Sequence, residues 1–276
     1  MRPFLKWLGG KYRLIDRIIS ALPAGKTLVE PFVGAGAVFL NTNYDQYILN
    51  DANNDLIALY QILQTDSVEF IKSAKKLFTQ RYNTEAQYYK LRAKFNLSND
   101  PFERSVIFLY LNRHGYNGLC RYNKDKIFNV PFGRYIIPYF PRTELQFFAD
   151  KIQPAILCSV DFQEIFTNLQ DGWVIYCDPP YVPLSETSNF TKYQSGGFSL
   201  SQQKKLAELA EKAALTGVPT LISNHYTDFT QKLYRRAKLS VFECLRSVSC
   251  DITGRKPVTE VLALYNRKKE LKYAKK

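Results

Sequence analysis

Short apolar runs that end on an acid or a glycine alternate with stretches of helical spacing. This alternation constrains the chain more than any other feature. "KTLVEPFVGAGAVFLN", from Lys26, is an apolar run that turns through Gly34 and Gly36 and then resumes. It predicts strand, tight loop and helix. "YILND" reads as a second strand, running into Asp51, and "AILCSVDF", "WVIYCDPPY" and "VPTLISN" read as three more. "LSVFECLRS" and "TEVLALY" predict a final antiparallel pair. Helical spacing fills the gaps. "DRIISALP" runs from Asp16 to a stop at Pro23, and "ANNDLIALYQILQ" carries an apolar stripe. In "SLSQQKKLAELAEKAALTG", Ser199 and Gln202 stand at capping-box spacing and Gly217 closes the helix. Strands alternating with helices imply an α/β fold with a mostly parallel sheet and helices on both faces.

From about Ser67 to Pro141 that rhythm is lost. Asp100 and Pro101 form an N-cap and N1 pair for the helix "PFERSVIFLYLN". The segment that follows, "RHGYNGLCRYNKDKIFNVPFGRYIIPYFPR", is rich in Tyr, Asn, Gly, Pro and basic residues. It reads as loops with a hairpin on a small helical domain. At 276 residues the chain is long for one domain and short for two independent ones. We therefore expect an insertion, residues 57–144, within a domain built from 1–56 and 145–276.

The formal net charge of +13 points to an anionic partner, nucleic acid before membrane. With 46% hydrophobic residues the chain can build a sizeable core, which argues against disorder. The cysteines, Cys120, Cys158, Cys177, Cys244 and Cys250, are odd in number and show no CxxC or metal-ligand spacing. They suit buried thiols in a reducing compartment, and no metal site is expected. The N-terminal "MRPFLKWLGGKYRLI" has no signal-peptide pattern, and no apolar run nears the roughly 20 residues that span a bilayer. A cytoplasmic location is the expectation.

In sheets of this kind, ligands bind at the carboxyl ends of the strands. Gly34 and Gly36 stand at one such end, where glycine permits positive φ and close backbone approach. Asp51 stands at the next and is placed to accept hydrogen bonds from ribose hydroxyls. The full GxGxxG is absent, since position 39 is Phe39. That disfavours a pyrophosphate and suits a nucleoside without phosphates, such as S-adenosyl-L-methionine (SAM). A purely structural turn fits the glycines equally well. Asp161 and Phe162, read as the end of a third strand, suit an adenine edge and ring; a strand-end acid and a core Phe read the same way.

"DPPY", Asp178 to Tyr181, is the sharpest signal. A given string of this kind arises by chance in roughly one chain in a thousand of this length. The two prolines fix the backbone and delay any helix. Asp178 and the Pro179 carbonyl can then both face a cleft as acceptors, a pairing that suits an exocyclic amine with its two N–H donors. Two acceptors would hold that amine and turn its lone pair toward an electrophile, by placement and electrostatics rather than strong-base catalysis. Tyr181 offers a stacking face. A base inside a duplex must be flipped out to reach such a pocket. The alternative is an ordinary strand-to-loop turn with a surface Asp.

"KWLGGK" at 6–11, "EPFVGAG" at 30–36, "LYLNRHGYNGLCRYN" at 109–123, "FNVPFGRY" at 128–135 and "DPPY" at 178–181 together resemble the Dam-type DNA adenine-N6 methyltransferases of bacteria and their phages. The likeness covers nearly the whole chain. The order of cofactor loop, recognition insert and catalytic tetrapeptide resembles the α group of these enzymes. It implies a Rossmann-like SAM-dependent methyltransferase fold: a mixed sheet with helices on both faces and one antiparallel strand at the edge. To this is added a mainly helical target-recognition domain. It also implies adenine N6 in duplex GATC as the target, and SAM as the donor, leaving S-adenosyl-L-homocysteine. Carried over position by position, Trp7, Lys11, Phe32, Gly34, Ala35 and Gly36 would line the SAM site. Asp51 would hold the ribose, Asp161 and Phe162 the adenine, and Asp178 would border the donor. Asp178, Pro179, Pro180 and Tyr181 would form the catalytic loop.

For DNA, the resemblance points to Lys6 and Arg121 as guanine readers at the two ends of the site, the commonest type of specific contact. Leu119 and Pro131 would touch a thymine methyl. Tyr116 would wedge into the stack with Asn117 beside it, Arg134 would grip phosphate, and Tyr135 would lie near the bases. Read without the resemblance, Tyr116 is a core residue and Arg134 a solvated charge. The polar "SETSNFTKYQSGGFS" is either a segment that orders over DNA or SAM or a surface loop. A monomer suffices for one strand per event, and nucleoid association follows from DNA binding. Roles in replication and mismatch repair are family expectations that depend on the host.

Two other classes stay open from sequence. One is the same chemistry on cytosine N4, RNA adenine or a protein amide. The other is a DNA-binding regulator that kept the fold and lost turnover.

Overall fold

The computed structural model describes residues 1–136, 138–183, 198–245 and 257–266. Cys250 and residues 185–197 of the polar segment lie outside them. The strands are β1 (Thr27–Glu30), β2 (Gln46–Asn50), β3 (Ala155–Cys158), β4 (Trp173–Cys177), β5 (Thr220–His225), β6 (Lys238–Leu245) and β7 (Pro257–Tyr265). The α-helices are α1 (Ile15–Ala21), α2 (Ala37–Asn41), α3 (Asn54–Thr65), α4 (Ser67–Lys75), α5 (Glu85–Leu97), α6 (Pro101–His114), α7 (Arg142–Lys151), α8 (Phe162–Ile165), α9 (Leu200–Leu215) and α10 (Asp228–Leu233).

The sheet order is β3-β2-β1-β4-β5-β7-β6. β1 pairs parallel with β4, and β4 with β5. β7 runs antiparallel to both β5 and β6. The reversed strand therefore sits one place in from the edge, not at the edge as the resemblance implied. The strand order reverses between β1 and β4. The pairing Val29↔Ile175 brings their carboxyl ends side by side, the switch point at which such sheets bind ligands. β1 and β5 are buried at every position, and β4 at all but Trp173. Continuous burial, without alternation, marks strands covered on both faces.

The chain forms two compact units. One comprises Met1–Asp16, Val33–Asn43 and Leu49–Ser159, and the other Arg17–Phe32, Tyr44–Ile48 and Val160–Lys276. In the second, α9 lays Leu206, Ala207, Ala210, Ala213 and Ala214 against Val29, Ile175, Ile222 and Ala263. Its small side chains let the helix lie close on the sheet. Ser199 and Gln202 form the expected capping box. Beyond the helix, Val218 N donates to Ala213 O (2.9 Å) around Gly217 at φ 94°, a Schellman ending.

In the first unit, α6 is buried along Ser105–Asn112. A helix apolar on all sides belongs at the centre of a bundle. Asp100 caps it by accepting from Phe102 N (2.9 Å), with Pro101 in the first turn. Phe95 packs on Phe108 of this helix and on Phe128, and Tyr88 packs on Tyr110 of the helix. The segment after α6 is pinched into a hairpin by bridges Gly115↔Phe132 and Tyr122↔Phe128. Tyr122 Oη donates to Asp55 on α3 (2.6 Å), whose other oxygen takes a bond from Arg104 Nη2 (2.6 Å). Among the described residues, no helix is long and apolar enough to cross a membrane.

Candidate active site

In the first unit the glycine turn is built as a cradle. Gly34 and Gly36 adopt φ of 48° and 73°. Gly36 N donates to Val33 O, and Val33 N to Asn50 O, both at 2.8 Å. The Asp51 carboxylate accepts from Gly34 N and Asn53 N, one bond to each oxygen at 3.0 Å. Burial raises its pKa, and those two N–H bonds work against the rise. Tyr60 Oη donates to Gly34 O (2.6 Å). A Cβ on Gly34 would stand 2.8 Å from Trp7 Nε1, so the indole covers this glycine at a distance only a bare backbone allows. Ala35 is buried in the turn. Lys11 is buried too, with Nζ donating to Gly9 O (2.6 Å).

In the second unit the "DPPY" loop leaves β4 under tight control. Ser223 Oγ, on β5, donates to Asp178 Oδ1 (3.0 Å) and lies 3.1 Å from Tyr176 Oη. Burial and the Asp178 charge push the Tyr176 phenol well above its usual pKa, so it stays a neutral hydrogen-bonding group. Gln203 Nε2 donates to Pro180 O (2.8 Å). Val182 N donates to Asn224 Oδ1 (3.0 Å), and Val182 O lies 2.7 Å from His225 Nδ1. Tyr181 Oη donates to Glu260 (2.9 Å), and its ring stands edge-on to His225 at 4.7 Å. Among the described residues nothing donates to the Pro179 carbonyl. Phe32, Phe162 and Phe198 form an aromatic trio with centroids 5.3–5.5 Å apart. Asp161 immediately precedes Phe162 in the chain. It is exposed and accepts from Gln163 N (2.9 Å) as the N-cap of α8, so it is not the strand end expected from sequence.

The recognition residues sit on the hairpin of the first unit. Tyr116 is 45% exposed, which rules out the core reading. Its N–H donates to Pro131 O (2.9 Å), and Leu119 N to Tyr116 O (3.1 Å). Asn117 turns through φ 52°, and its N–H donates to Tyr135 Oη (2.9 Å). Lys6 Nζ lies 3.9 Å from the centre of the Tyr135 ring, and burial lowers its pKa, helped by Arg113. Arg121 is exposed; its Nε donates to Asn129 Oδ1 (2.7 Å) and its Nη2 to Asn129 O (3.2 Å). Those two bonds aim the guanidinium. Arg134, at φ 53°, is a largely exposed charge that pairs loosely with Glu85 at 3.7 Å.

The sequence profile of the D12 class N6 adenine-specific DNA methyltransferases matches residues 7–248. The "DNA adenine methylase" of Escherichia coli (strain K12) is 53% identical over 264 residues, covering 96% of this chain and 95% of that protein. Its namesake in Serratia marcescens is 51% identical, covering 96% and 98%. The solved rRNA methyltransferase aviRa from Streptomyces viridochromogenes is a distant likeness, 11% identical with a TM-score of 0.38 over 96% of this chain and 90% of its own.

The chain belongs to the D12 class of N6 adenine-specific DNA methyltransferases.

It is therefore an adenine-specific DNA methyltransferase, with DNA as its substrate and adenine N6 as the acceptor. Members of this class and fold draw their methyl group from SAM generally. Several residues that hold these groups were not singled out from sequence: Tyr60 and Asn112 in the first unit, and Phe198, Gln203, Ser223 and Asn224 in the second. Three left a faint signal. "SNH" ends an apolar strand on three polar residues, and Asn112 interrupts the apolar "IFLYL" run of α6.

Proposed function

We propose that this methyltransferase transfers the methyl group of SAM to adenine N6 within duplex GATC, on a base flipped out of the helix. The observation that carries this reading is the loop after β4. Its backbone is tied at Pro180 and Val182, while the Pro179 carbonyl receives no donor among the described residues. Ser223 orients Asp178 by donating to its Oδ1. Pro179 O and the Asp178 carboxylate are then the acceptors for the two N–H groups of the exocyclic amine, with the Tyr181 ring as the stacking face and Pro180 fixing the turn. Because Tyr181 is anchored through its hydroxyl to Glu260, its ring is set before the base arrives.

The residues present fit SAM. Asp51 spends one bond per oxygen on the backbone, leaving acceptor capacity for vicinal ribose hydroxyls. The bare backbone of Gly34 lets the Trp7 indole close over the turn beside Asp51. Phe162 and Phe32 supply an apolar face for adenine, and Asp161, in this reading, its edge contact. Trp7, Lys11, Ala35 and Gly36 complete the cofactor's surroundings. Bound SAM supplies an electrophilic methyl on a sulfonium. The chain's own part is placement. Its two acceptors hold the amine pyramidal and draw positive charge on nitrogen toward Asp178, an electrostatic gain in the transition state. Transfer leaves one proton too many on N6, and the Asp178 carboxylate is the nearest base for it.

In the same reading, residues 57–144 form the target-recognition domain. Lys6 and Arg121 read the guanines at the two ends of GATC, Leu119 and Pro131 a thymine methyl. Tyr116 and Asn117 fill the stack the adenine leaves, Arg134 exchanges Glu85 for a phosphate, and Tyr135 lies beside the bases. The test uses SAM with a labelled methyl group and two matched duplexes, one with a single GATC and one with those bases scrambled. Label in N6-methyladenosine from the GATC duplex alone is the expected result. Label from both would remove the GATC assignment and leave the rest standing.

A further inference from the structure

Asn112 lies near the end of α6, 1% exposed, and its amide uses both of its ends. Its Oδ1 accepts from Lys6 N at 2.9 Å, and its Nδ2 donates to Lys6 O at 2.7 Å and Gly118 O at 3.3 Å. A side chain that binds the N–H and the C=O of one residue fixes that residue's φ and ψ much as a paired strand would. The pinned residue is Lys6, on the N-terminal segment, and the second anchor is the turn at 116–118 of the recognition hairpin. The two segments touch. A Cβ on Gly118 would fall 2.2 Å from Lys6 Cβ, and Gly118 has φ 62°. From this pinned backbone the Lys6 ammonium reaches Tyr135, whose hydroxyl takes the Asn117 N–H, closing a ring back to the same turn.

A buried amide is costly unless every bond is made, and here every bond goes to backbone that carries recognition residues. Packing alone would be served as well by a leucine. We propose that Asn112 is a positioning residue for target specificity, fixing Lys6 against the Tyr116–Gly118 turn so that the lysine meets one end base pair of the site in a single register. This rests on the reading above that Lys6 and Arg121 each recognise a guanine.

The experiment measures kcat/KM on a GATC duplex and on duplexes with either end base pair replaced. Wild type, Lys6→Ala, Asn112→Ala and the double variant are compared, with Arg121→Ala as the reference for the far end. Lys6→Ala first identifies the base pair it reads. Asn112→Ala should then lose about tenfold discrimination at that pair and keep discrimination at the Arg121 end within about twofold. The double variant should discriminate no worse than Lys6→Ala alone. An equal loss on every duplex, or multiplied losses in the double variant, would overturn the proposal and leave Asn112 a staple of the fold. If Asn112→Ala does not fold, Asn112→Asp keeps the shape and the bond from Lys6 N while losing both donated bonds. The same loss at one end is then expected, and uniform loss again overturns the proposal. A Lys6→Ala enzyme that discriminates normally at both ends would overturn the guanine-reader reading and the proposal with it. Normal discrimination in the Asn112 variants, beside a defect in Lys6→Ala, would overturn the proposal alone.

Discussion

His114 closes α6 fully buried, its ring stacked on Tyr110 at 3.9 Å and set against the edge of Phe78 at 4.9 Å. Nδ1 faces the Tyr110 carbonyl at 3.0 Å, which places the proton of the neutral ring there. Nε2 is buried and has no partner among the described residues. A second proton would sit on that nitrogen with nothing to receive it, near Lys6 and Arg113. Burial, and then those two charges, lower the pKa from 6.5 to about 4. The folded histidine thus refuses a proton that the unfolded one accepts. Above pH 6.5 neither form binds it and the residue contributes nothing to pH dependence. As pH falls below 6.5 the unfolded chain gains protons first, so stability drops, and the loss levels off near pH 4. At about 1.4 kcal/mol per pH unit across that window, the loss approaches about 3 kcal/mol. His114→Phe keeps the ring in place and removes the titration. Urea unfolding at pH 8, 6, 5 and 4.5 should show wild type losing up to that amount relative to the variant, with all of the divergence below pH 6.5. Parallel curves would refute the reasoning and mean that the buried ring finds a partner for its second proton.

Ser223→Ala removes the donor to Asp178 Oδ1; a bond of about 1–1.5 kcal/mol predicts a kcat about tenfold lower with KM for DNA unchanged, read by steady-state methylation. Gly34→Ala sets a Cβ 2.8 Å from the Trp7 indole at a positive φ, so SAM affinity measured by calorimetry should weaken about tenfold and melting should come several degrees earlier. Arg121→Ala should cost about 1–3 kcal/mol of discrimination at one guanine, measured as kcat/KM on singly substituted duplexes; equal losses on all of them would make it a phosphate contact.

What could be read from sequence was local. The capping box at Ser199 and Gln202, the Asp100–Pro101 helix start and the Gly217 stop each depend on neighbours within one turn, and each stands as expected. Central strands announced themselves by unbroken apolar runs. The place of β7, inside β6 and not outside it, could not be read, because either order leaves the same antiparallel pair with the same side chains facing in. Asp161 misled for a related reason. "AILCSVDF" is apolar enough to continue as a strand, but the Asp161 side chain takes the Gln163 N–H and starts a helix there. In the site, the motifs identified the class of enzyme and their roles remain assigned by likeness. The groups that hold them, Ser223 on Asp178 or Asn112 on Lys6, bond across long separations that no spacing rule reports.

Those supporting bonds explain why a loop with two prolines can be rigid. Asp178 to Val182 has no helix or strand of its own, and two of its residues have no N–H to donate. Left alone, such a segment would sample many conformations at about 1–2 kcal/mol of entropy per fixed residue. Here Gln203, Asn224 and His225 take the Pro180 carbonyl and both backbone groups of Val182, at 2.7–3.0 Å. Gln203 and Asn224 also bond each other, and Tyr234 Oη accepts from Asn224, all within the buried core under α9. The cost of ordering the loop is thus met during folding, by side chains away from the acceptors. In the proposed reading, a flipped adenine that met a loose loop would have to supply that order from its own binding energy, leaving less to favour the transition state. On the proposed reading, in which two placed acceptors act without a strong base, those acceptors need to be in place beforehand.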